Sequence, residues 1–386
     1  MLTKVKAKIC IMMKTFFSLM FCLCPIKKNK IVLESFGGKN FSDNPKMIAL
    51  EIVKQKKPWD VVWLSIDRPS DLPKEIRWVK YGTIKALHEW GTSRVWIDNI
   101  RHQVRPIKRK GQYYIQTWHG PFPIKCIEKY AEDKLDKDYV KSAKKDGRLI
   151  DAIVSSDKLL DETYKEAFWL NDNVEFLRVG APRNDRLFTL KNDKKVFEKV
   201  RETFCIPPDA FVVLYAPTFR DDRSTNGYLK SFEQIVESFE KEYNKKTFVL
   251  VRMHPSVSNL ELDYRYNDKI INASDYSDAQ ELSLATNCVI SDYSSIIYDY
   301  AFLNKPVFLC ALDIEHYNEL RGLRPIIYEL PFSLATSLEE LIENIKCFNE
   351  ERYYKRVSEF FQKYPFYDDG DASKKVVEKI QTVLTK

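Results

Sequence analysis

The chain has 386 residues, of which 44% are hydrophobic and 30% are charged, so it is a folded globular chain and not a disordered one. This length exceeds one ordinary domain and predicts two, each with its own core. The formal net charge of +7 would suit a nucleic-acid-binding protein, but residues 1–30 contain seven lysines and no Asp or Glu. Taking those seven from the 62 basic residues leaves 55, which balance the 55 acidic ones. No nucleic-acid-binding signature is present either, so we expect no nucleic-acid partner.

The N-terminal segment, residues 1–30, combines these lysines with apolar side chains. Its longest uncharged stretch, Thr15–Ile26, is shorter than the ~20 residues that a membrane-spanning helix needs. Cys22–Pro25 lacks the small-x-small pattern of a signal-peptide cleavage site. We therefore expect a helix that lies in the membrane interface, while a buried helix, a signal peptide and a span stay open as alternatives. The lysines that would contact anionic lipid are Lys4, Lys6, Lys8, Lys14, Lys27 and Lys28.

The eight cysteines include no Cys-x-x-Cys pair, and three of them lie in the N-terminal segment. Most of the others sit in apolar runs, where cysteine serves as a small hydrophobic residue. This usage is typical of a reducing compartment and predicts the cytoplasmic side of a membrane.

From Lys30 onward, short apolar and β-branched runs alternate with longer helical patterns. Such runs predict parallel strands that are covered on both faces. Amphipathic helices are predicted at Ser231–Tyr243 and Leu338–Phe348. With a polar break near Leu190–Lys195, the pattern predicts two doubly wound α/β domains. The predicted strands are Ile31–Phe36, Val61–Ser65, Trp78–Tyr81, Arg94–Asp98, Tyr113–Trp118, Ala152–Ser156, Glu175–Val179, Phe211–Ala216, Phe248–Met253, Lys269–Asn272, Cys288–Ser291 and Pro306–Ala311.

Two of the five histidines end predicted strands and precede turn-forming residues. His119 is followed by Gly120 and Pro121, and His254 is followed by Pro255. Ligands of parallel α/β sheets bind at the carboxyl ends of the strands, and a histidine there can act as a base near neutral pH. A capping or core-edge histidine is the alternative for each. We interpret the three others as surface or structural residues: His88, His102 and His316.

A helix start follows the predicted strand Cys288–Ser291. There Asp292, Ser294 and Ser295 lead into a helix whose first N–H groups could bind an anion. Plain N-capping by Asp292 or Ser294 is the alternative, and it needs no ligand.

An arginine marks a fourth strand end. Thr218 and Arg220 follow the run Phe211–Ala216, where a guanidinium could pair with phosphate. A surface ion pair between Arg220 and Asp221 or Asp222 is the alternative. Together with the two histidines and the helix start, these residues describe a pyrophosphate site without a metal.

Common nucleotide and metal motifs are missing from the sequence, including a Walker loop, Gly-x-Gly-x-x-Gly and His-Glu-x-x-His. Two Asp-x-Asp pairs occur, but neither follows an apolar strand. We therefore interpret them as solvated loop carboxylates and expect neither a metal nor a cofactor. They are Asp136 with Asp138 and Asp369 with Asp371.

An ordered set of motifs resembles the CDP-glycerol glycerophosphotransferase family of teichoic acid synthesis. The matches run in the family's order over about residues 31–375. Each motif is weak alone, and the ordered set is specific. The motifs are Glu34–Gly37, Asn44–Lys46, Gln116–Gly120, Gly180–Asp185, Ala216–Asp221, Arg252–Pro255, Ser291–Ser295, Leu320–Gly322 and Asp369–Ser373.

The resemblance implies a GT-B fold in which two Rossmann-like domains face each other across a cleft. Residues 31–192 would form the acceptor domain and 193–355 the CDP-donor domain, with 356–386 crossing back to the first. The donor would be CDP-glycerol or a similar CDP-alditol, and the acceptor would be linked to lipid. The implied location is the cytoplasmic face of the bacterial cell membrane, as a peripheral protein.

The resemblance also implies roles for the candidate site residues. His119 would deprotonate the acceptor hydroxyl, and a second catalytic histidine, His254, would help to hold the pyrophosphate. Asp292 would serve as a cap or a histidine partner. Residues that would bind substrate are Gly120, Lys125, Thr218, Arg220, Arg252, Asp292, Ser294 and Ser295. A basic stretch could face headgroups or acceptor phosphates, with a solvated loop as the alternative: Arg101, Arg105, Lys108, Arg109 and Lys110.

Two departures from the family pattern put the donor and the acceptor in question. Pro121–Lys125 replaces the usual Thr-Pro-Leu-Lys, and Met253 replaces a proline. The lack of a long N-terminal extension favours a primase-like or short-chain transferase, or a capsule enzyme. A glycosyltransferase that uses a nucleotide sugar and a non-catalytic nucleotide binder at the membrane are the rival functions.

Overall fold

The computed structural model describes residues 13, 15–102, 106–120, 124–253, 257, 265–276 and 278–386. The chain forms two compact units. The first contains Met1–Pro121, Ile127–Asp185 and Phe366–Lys386, and the second contains Phe122–Cys126 and Arg186–Pro365. The chain thus leaves the first unit after Asp185 and returns to it at Phe366, not at the predicted boundaries 192 and 356.

Seven parallel strands form the described sheet of the first unit: β1 (Lys27–Glu34), β2 (Asp60–Ser65), β3 (Arg77–Lys80), β4 (Ser93–Asp98), β5 (Tyr113–Gln116), β6 (Ala152–Ser155) and β7 (Glu175–Arg178). Their order is β3-β2-β1-β4-β5-β6-β7. Along β1, Ile31 and Leu33 pack into one core cluster and Val32 into another, because successive side chains of a strand face opposite sides. Burying one such side chain fully contributes roughly 1.5–3 kcal/mol, so both faces of the sheet need covering helices.

Six parallel strands form the described sheet of the second unit: β8 (Phe211–Tyr215), β9 (Thr247–Val251), β10 (Ile270–Asn272), β11 (Cys288–Ser291), β12 (Val307–Cys310) and β13 (Ser333–Ala335). Their order is β10-β9-β8-β11-β12-β13, which reverses direction between β8 and β11. Ligands of such sheets bind beside this reversal, at the carboxyl ends of the strands. The predicted α/β fold with parallel sheets is confirmed.

The helices connect successive strands. Seven of the described helices begin with a side-chain cap from the residue before them, for example Asp157 accepting from Leu160 N–H. The described helices are α1 (15–21), α2 (Asp43–Lys54), α3 (Ile84–Thr92), α4 (Lys137–Gly147), α5 (Lys158–Ala167), α6 (Asp185–Thr189), α7 (Lys194–Thr203), α8 (Phe232–Tyr243), α9 (Ala279–Ala285), α10 (Ile296–Phe302), α11 (Ile314–Leu320), α12 (Leu338–Lys346), α13 (Glu350–Lys363) and α14 (Ala372–Leu384).

Strand β1 begins at Lys27, inside the segment that we expected to be separate from the fold. Its Lys30 is 1% exposed, and the ammonium donates to Glu89 at 2.6 Å and to Thr92 at 2.7 Å. A buried lysine is tolerated when it is paired in this way. Strand β13 was not predicted, because its three residues are too short for a periodic pattern.

Helix α1 places apolar side chains in two environments. Phe21 packs edge-on against His88 at 5.2 Å, whereas Phe16 and Leu19 are exposed. No helix in the described part of the chain is long and apolar enough to cross a membrane.

The basic stretch before β5 is not a uniform surface. Arg101 is buried and pairs with Glu128 at 3.3 Å and Asp146 at 3.2 Å, so its expected contact with headgroups or acceptor phosphates is wrong. Arg109 donates to the carbonyls of Cys22 and Cys24, at 2.7 and 2.8 Å. This guanidinium holds the chain that follows α1.

Candidate active site

His119 lies just beyond β5, at the carboxyl edge of the first sheet. Its Nδ1 is 2.6 Å from the carbonyl oxygen of Asn99. Because a carbonyl only accepts, Nδ1 carries the hydrogen, and in the neutral ring Nε2 keeps the lone pair. The ring packs against Trp118 at 4.3 Å between centroids. This is the tautomer that a general base acting through Nε2 requires.

The backbone before His119 is held by several hydrogen bonds. Thr117 N–H donates to the Asp98 carbonyl at 2.8 Å, and Trp118 N–H donates to Gln116 Oε1 at 2.8 Å. Asn44 donates through Nδ2 to the Trp118 carbonyl at 3.0 Å. Trp118 has a φ of +51°, which costs energy for a residue with a side chain. The surrounding bonds therefore fix a strained loop that presents His119.

A buried polar cluster lies under this edge. Glu34, Asp98 and His102 could together hold a metal ion, since one ligand atom of each lies within 4.8 Å of the others. His102 Nε2 already contacts Glu34 and lies 3.3 Å from Asp98 Oδ2. His102 is therefore a structural residue, which confirms one of its two expected roles.

The second unit contains a cavity of about 310 Å³ at the carboxyl ends of β8, β9 and β11. Its walls carry cations, hydroxyls, one carboxylate and two aromatic rings. The lining residues that matter for binding are Lys125, Thr218, Arg252, Ser294, Tyr317 and Arg321.

Two of these cations have no ion-pair partner among the described residues, Lys125 and Arg252. Burial lowers the pKa of Lys125 to about 8, although the charge of Asp292 opposes that shift. Burial also lowers the pKa of Arg252, against the charge of Asp278. Desolvated positive charge without a paired carboxylate favours an anion in the cavity.

Two polar atoms of the cavity wall point to the same ligand class. Thr218 Oγ1 and Arg252 Nε are buried and form no hydrogen bond within the described structure. A buried donor without a partner costs about 1–3 kcal/mol, which hydrogen bonds to a bound phosphate would offset.

Arg220 differs from its prediction. It is fully buried, and its guanidinium donates to Asp313 at 2.6 and 2.8 Å and pairs with Asp292 at 2.9 Å. Burial alone would lower the pKa of Arg220, but the two carboxylates raise it. The prediction that Arg220 contacts substrate directly is therefore wrong, because Asp313 and Asp292 occupy the donors of its guanidinium.

The alternative partners expected for Arg220 are also wrong. Asp221 pairs with Arg321 at 3.0 Å, and Asp222 contacts His316 at 2.8 Å. Arg220 and its two carboxylates instead form a buried support for the cavity floor. The rings of three tyrosines lie within 5.0–5.3 Å of the guanidinium: Tyr228, Tyr293 and Tyr317.

Asp292 shapes the turn between β11 and α10. Its Oδ1 accepts from Thr218 N–H at 2.8 Å and from Tyr293 N–H at 2.6 Å. With the other oxygen paired to Arg220, Asp292 positions the cavity wall and does not reach a ligand itself. Neither of these N–H groups belongs to α10, so Asp292 holds the turn before the helix and does not cap the helix itself.

The two serines before α10 are not equivalent. Ser294 lines the cavity, and its Oγ accepts from Ile296 N–H at a long 3.4 Å. Ser295 is the residue before the helix and makes no side-chain cap bond. Because Ser294 lines the cavity and Ser295 does not, Ser294 is the stronger candidate for ligand contact.

Several predicted site residues lie outside the described structure. They are Lys4, Lys6, Lys8, Lys14, Arg105 and His254. Among the predicted site residues that the structure does describe, Lys27 and Lys28 are exposed at the start of β1, and Gly120 follows His119.

Sequence reasoning missed Asp313 as the partner of Arg220 and Asn44 as the support of the His119 loop. Asn44 belongs to a motif that carried the family resemblance, but the motif alone did not show what Asn44 contacts. Asp313 is 93 residues from Arg220 and had no such signal.

Comparison with known proteins identifies the family. A polymerase named "Teichoic acid poly(glycerol phosphate) polymerase" from Staphylococcus epidermidis is 32% identical over 92% of this chain and 51% of its own length, so the chain spans about half of that protein. The Bacillus spizizenii protein of the same name is 30% identical, with 93% of both chains covered.

Solved structures agree with the sequence comparison. The wall teichoic acid polymerase TagF has a TM-score of 0.82 and 29% identity, covering 100% of this chain and 97% of its own. A TagF variant soaked with CDPG also has a TM-score of 0.82. The profile of the CDP-glycerol:poly(glycerophosphate) glycerophosphotransferase family matches residues 15–382. The chain therefore belongs to the CDP-glycerol:poly(glycerophosphate) glycerophosphotransferase family.

Proposed function

We propose that the protein transfers glycerol phosphate, or a similar alditol phosphate, from a CDP-alditol to a hydroxyl of a lipid-linked acceptor. The observation that carries the proposal is the cavity of the second unit, where Lys125 and Arg252 present positive charge without a paired carboxylate. A pyrophosphate supplies the charge and the acceptor oxygens that these groups need. The CDPG in a TagF structure makes a CDP-alditol the first donor to test.

In the proposed reaction the acceptor hydroxyl attacks the β-phosphorus of the donor. A new phosphorus–oxygen bond forms, the bond to CMP breaks, and CMP leaves with the bonding electrons. His119 Nε2 takes the hydroxyl proton, and its Nδ1 hydrogen bond to Asn99 stabilises the resulting imidazolium. Lys125 and Arg252 bind the charge that develops on the phosphates.

The proposal includes no metal, because two desolvated cations already face the phosphates. Activity should survive dialysis against EDTA. A loss that Mg²⁺ restores would contradict this part of the proposal and direct attention to Glu34, Asp98 and His102.

We also propose that the outer face of α1 binds the membrane that carries the acceptor. Phe16 and Leu19 on that face are apolar and exposed, and Leu23, just after the helix, is 89% exposed. Lys27 and Lys28 follow as exposed cations. Changing Phe16 and Leu19 together to Glu should release the full chain from anionic vesicles, whereas Phe21→Leu, on the buried face, should not.

A donor screen tests the proposed reaction. The full chain is given CDP-glycerol, CDP-ribitol or a UDP-sugar with a lipid-linked disaccharide acceptor, and released nucleotide is quantified. CMP release that depends on the acceptor supports the proposal. Release of UDP, or binding of nucleotide without turnover, would replace it with a rival function.

A further inference from the structure

The last segment of the first unit contacts a turn that precedes the chain's departure to the second unit. Asp368 Oδ1 accepts from Ala181 N–H at 3.0 Å and from Asn184 Nδ2 at 2.8 Å. Gly180 has a φ of +86°, and a Cβ there would lie 2.7 Å from the Asp368 Cα. The two segments are thus packed too closely for any side chain at position 180.

A second carboxylate fastens the same two segments in the opposite direction. Asp185 accepts from Ala372 N–H at 2.9 Å and from Ser373 N–H at 2.8 Å, at the start of α14. Asp368 and Asp185 therefore each hold the backbone of the other's segment. The turn between Gly180 and Asp185 is fixed from both ends.

This turn is joined to the loop of His119 by one side chain. Arg183 N–H donates to Asn44 Oδ1 at 2.9 Å, and Asn44 Nδ2 donates to the carbonyls of Trp118 at 3.0 Å and Thr117 at 3.3 Å. Asn44 is 2% exposed, and its amide oxygen and nitrogen are both used. Hydrogen bonds thus run from Asp368 through the turn and Asn44 to the residue before His119.

We propose that Asp368 is a positioning residue for His119, acting through the turn Pro182–Asn184 and Asn44. The inference rests on the proposed function, in which His119 is the base. Trp118 supplies the physical need, because its φ of +51° is unfavourable and its carbonyl must be held from outside. A base displaced by about 1 Å loses much of its effect, so a remote hydrogen bond can control turnover.

Asp368 holds the turn through Oδ1, which acts as a hydrogen-bond acceptor. Burial, with smaller contributions from the nearby charges of Asp157 and Asp185, raises the pKa of Asp368 to about 7 against its hydrogen bonds to Ala181 and Asn184. What the turn requires is an acceptor oxygen, which Asn also provides. Asp368→Asn therefore separates the acceptor from the charge.

Three variants test the proposal by kinetics. Asp368→Ala should lower kcat about 10- to 100-fold with the donor KM within about twofold of wild type, because only the His119 loop is disturbed. Asp368→Asn should keep kcat within about threefold. Asp369→Ala, an exposed neighbour paired with Lys375, is the matched control and should match wild type. Equal kcat for Asp368→Ala and wild type, or equal losses for the Ala and Asn variants, would overturn the proposal.

A variant of Asn44 tests the same proposal if Asp368→Ala does not fold. Asn44→Asp keeps the oxygen that accepts from Arg183 but removes the donors to Thr117 and Trp118. It should reproduce the loss of kcat while melting as a folded protein. Normal turnover with Asn44→Asp would mean that Asn44 does not connect Asp368 to the His119 loop.

A spectroscopic readout separates the positioning role from the proposed reaction. NMR of isotope-labelled histidine, assigned with His119→Gln, reports the Nδ1–H of His119 directly. Asp368→Ala should weaken that hydrogen bond, and Asp368→Asn should restore it. An unchanged His119 signal in Asp368→Ala refutes the positioning role, whereas failure of every CDP-alditol as a substrate refutes only the proposed function.

Discussion

The carboxyl edges of the two sheets share one architecture and differ in how they use charge. In the first unit, the carboxylates Glu34 and Asp98 are buried under the edge, and His119 is held by a backbone carbonyl. In the second unit, Asp292 and Asp313 are buried as well, but Arg220 occupies both. Lys125 and Arg252 are then left to face the cavity.

The difference shows that strand ends supply position, while the buried partners decide the chemistry. A histidine held by a neutral acceptor stays able to take a proton, whereas cations without carboxylate partners bind an anion. The two edges should therefore fail in different ways when they are mutated: the first in turnover, the second in donor affinity.

The largest effect is expected at the first edge. His119→Ala should lower kcat by about 10²- to 10⁴-fold, since it removes the general base, and the donor KM should change little. Steady-state CMP release measures both constants. His88→Gln, a change in helix α3 away from the strand ends, is the control. Activity of His119→Ala within about threefold of wild type would remove His119 from the reaction.

Substitutions at the carboxyl edge of the second sheet should weaken the binding of the donor. Arg252→Ala should raise the donor KM about 10- to 100-fold, because a charge-assisted contact to phosphate is lost in a desolvated site. Arg252→Lys should raise the donor KM less than Arg252→Ala does, because lysine keeps the positive charge. Arg265→Ala, an exposed arginine of the same unit, is the matched control. A loss confined to kcat would mean that the two edges do not divide the work as described.

A pH profile sharpens the comparison further. The pKa of Lys125 is lowered to about 8, so its cation is present below that pH and is lost as the pH rises through it. The kcat/KM for donor should therefore fall above about pH 8. Lys125→Arg should move this fall to higher pH, because arginine stays protonated. A profile that is unchanged in Lys125→Arg assigns the fall to another group.

The smallest effect separates two neighbouring serines. Ser294→Ala should raise the donor KM about three- to tenfold, since one hydrogen bond from the cavity wall is lost. Ser295→Ala should stay within about twofold of wild type. Equal effects of the two substitutions would mean that the start of α10, and not Ser294 itself, binds the donor.

The described sheet strands other than β13 were predictable from sequence, and the partners of the buried charges were not. Cys288–Ser291 and Val61–Ser65 are apolar, β-branched runs, so their ends could be read within a residue or so. The polar start of β1 was not predicted, because burial of its Lys30 depends on Glu89, which is 59 residues away in the sequence. Such pairing has no local signature.

The candidate site shows the same limit. His119 and Thr218 could be found because turn residues follow apolar strands, and this pattern is local. Arg220 fitted the same pattern but is neutralised by Asp313 from a distant loop. Asp369 and Asp371 are exposed as expected, while the neighbouring Asp368 is fastened to a turn 187 residues earlier. Roles that depend on such long-range contacts need the folded structure.

Equilibrium binding of CDP-glycerol to three forms of the full chain tests the division of work most directly. By titration calorimetry, His119→Ala should bind the donor with the Kd of wild type, and Arg252→Ala should bind about 10- to 100-fold more weakly. Weak binding by His119→Ala together with unchanged binding by Arg252→Ala would contradict the assignment of the donor to the cavity of the second unit.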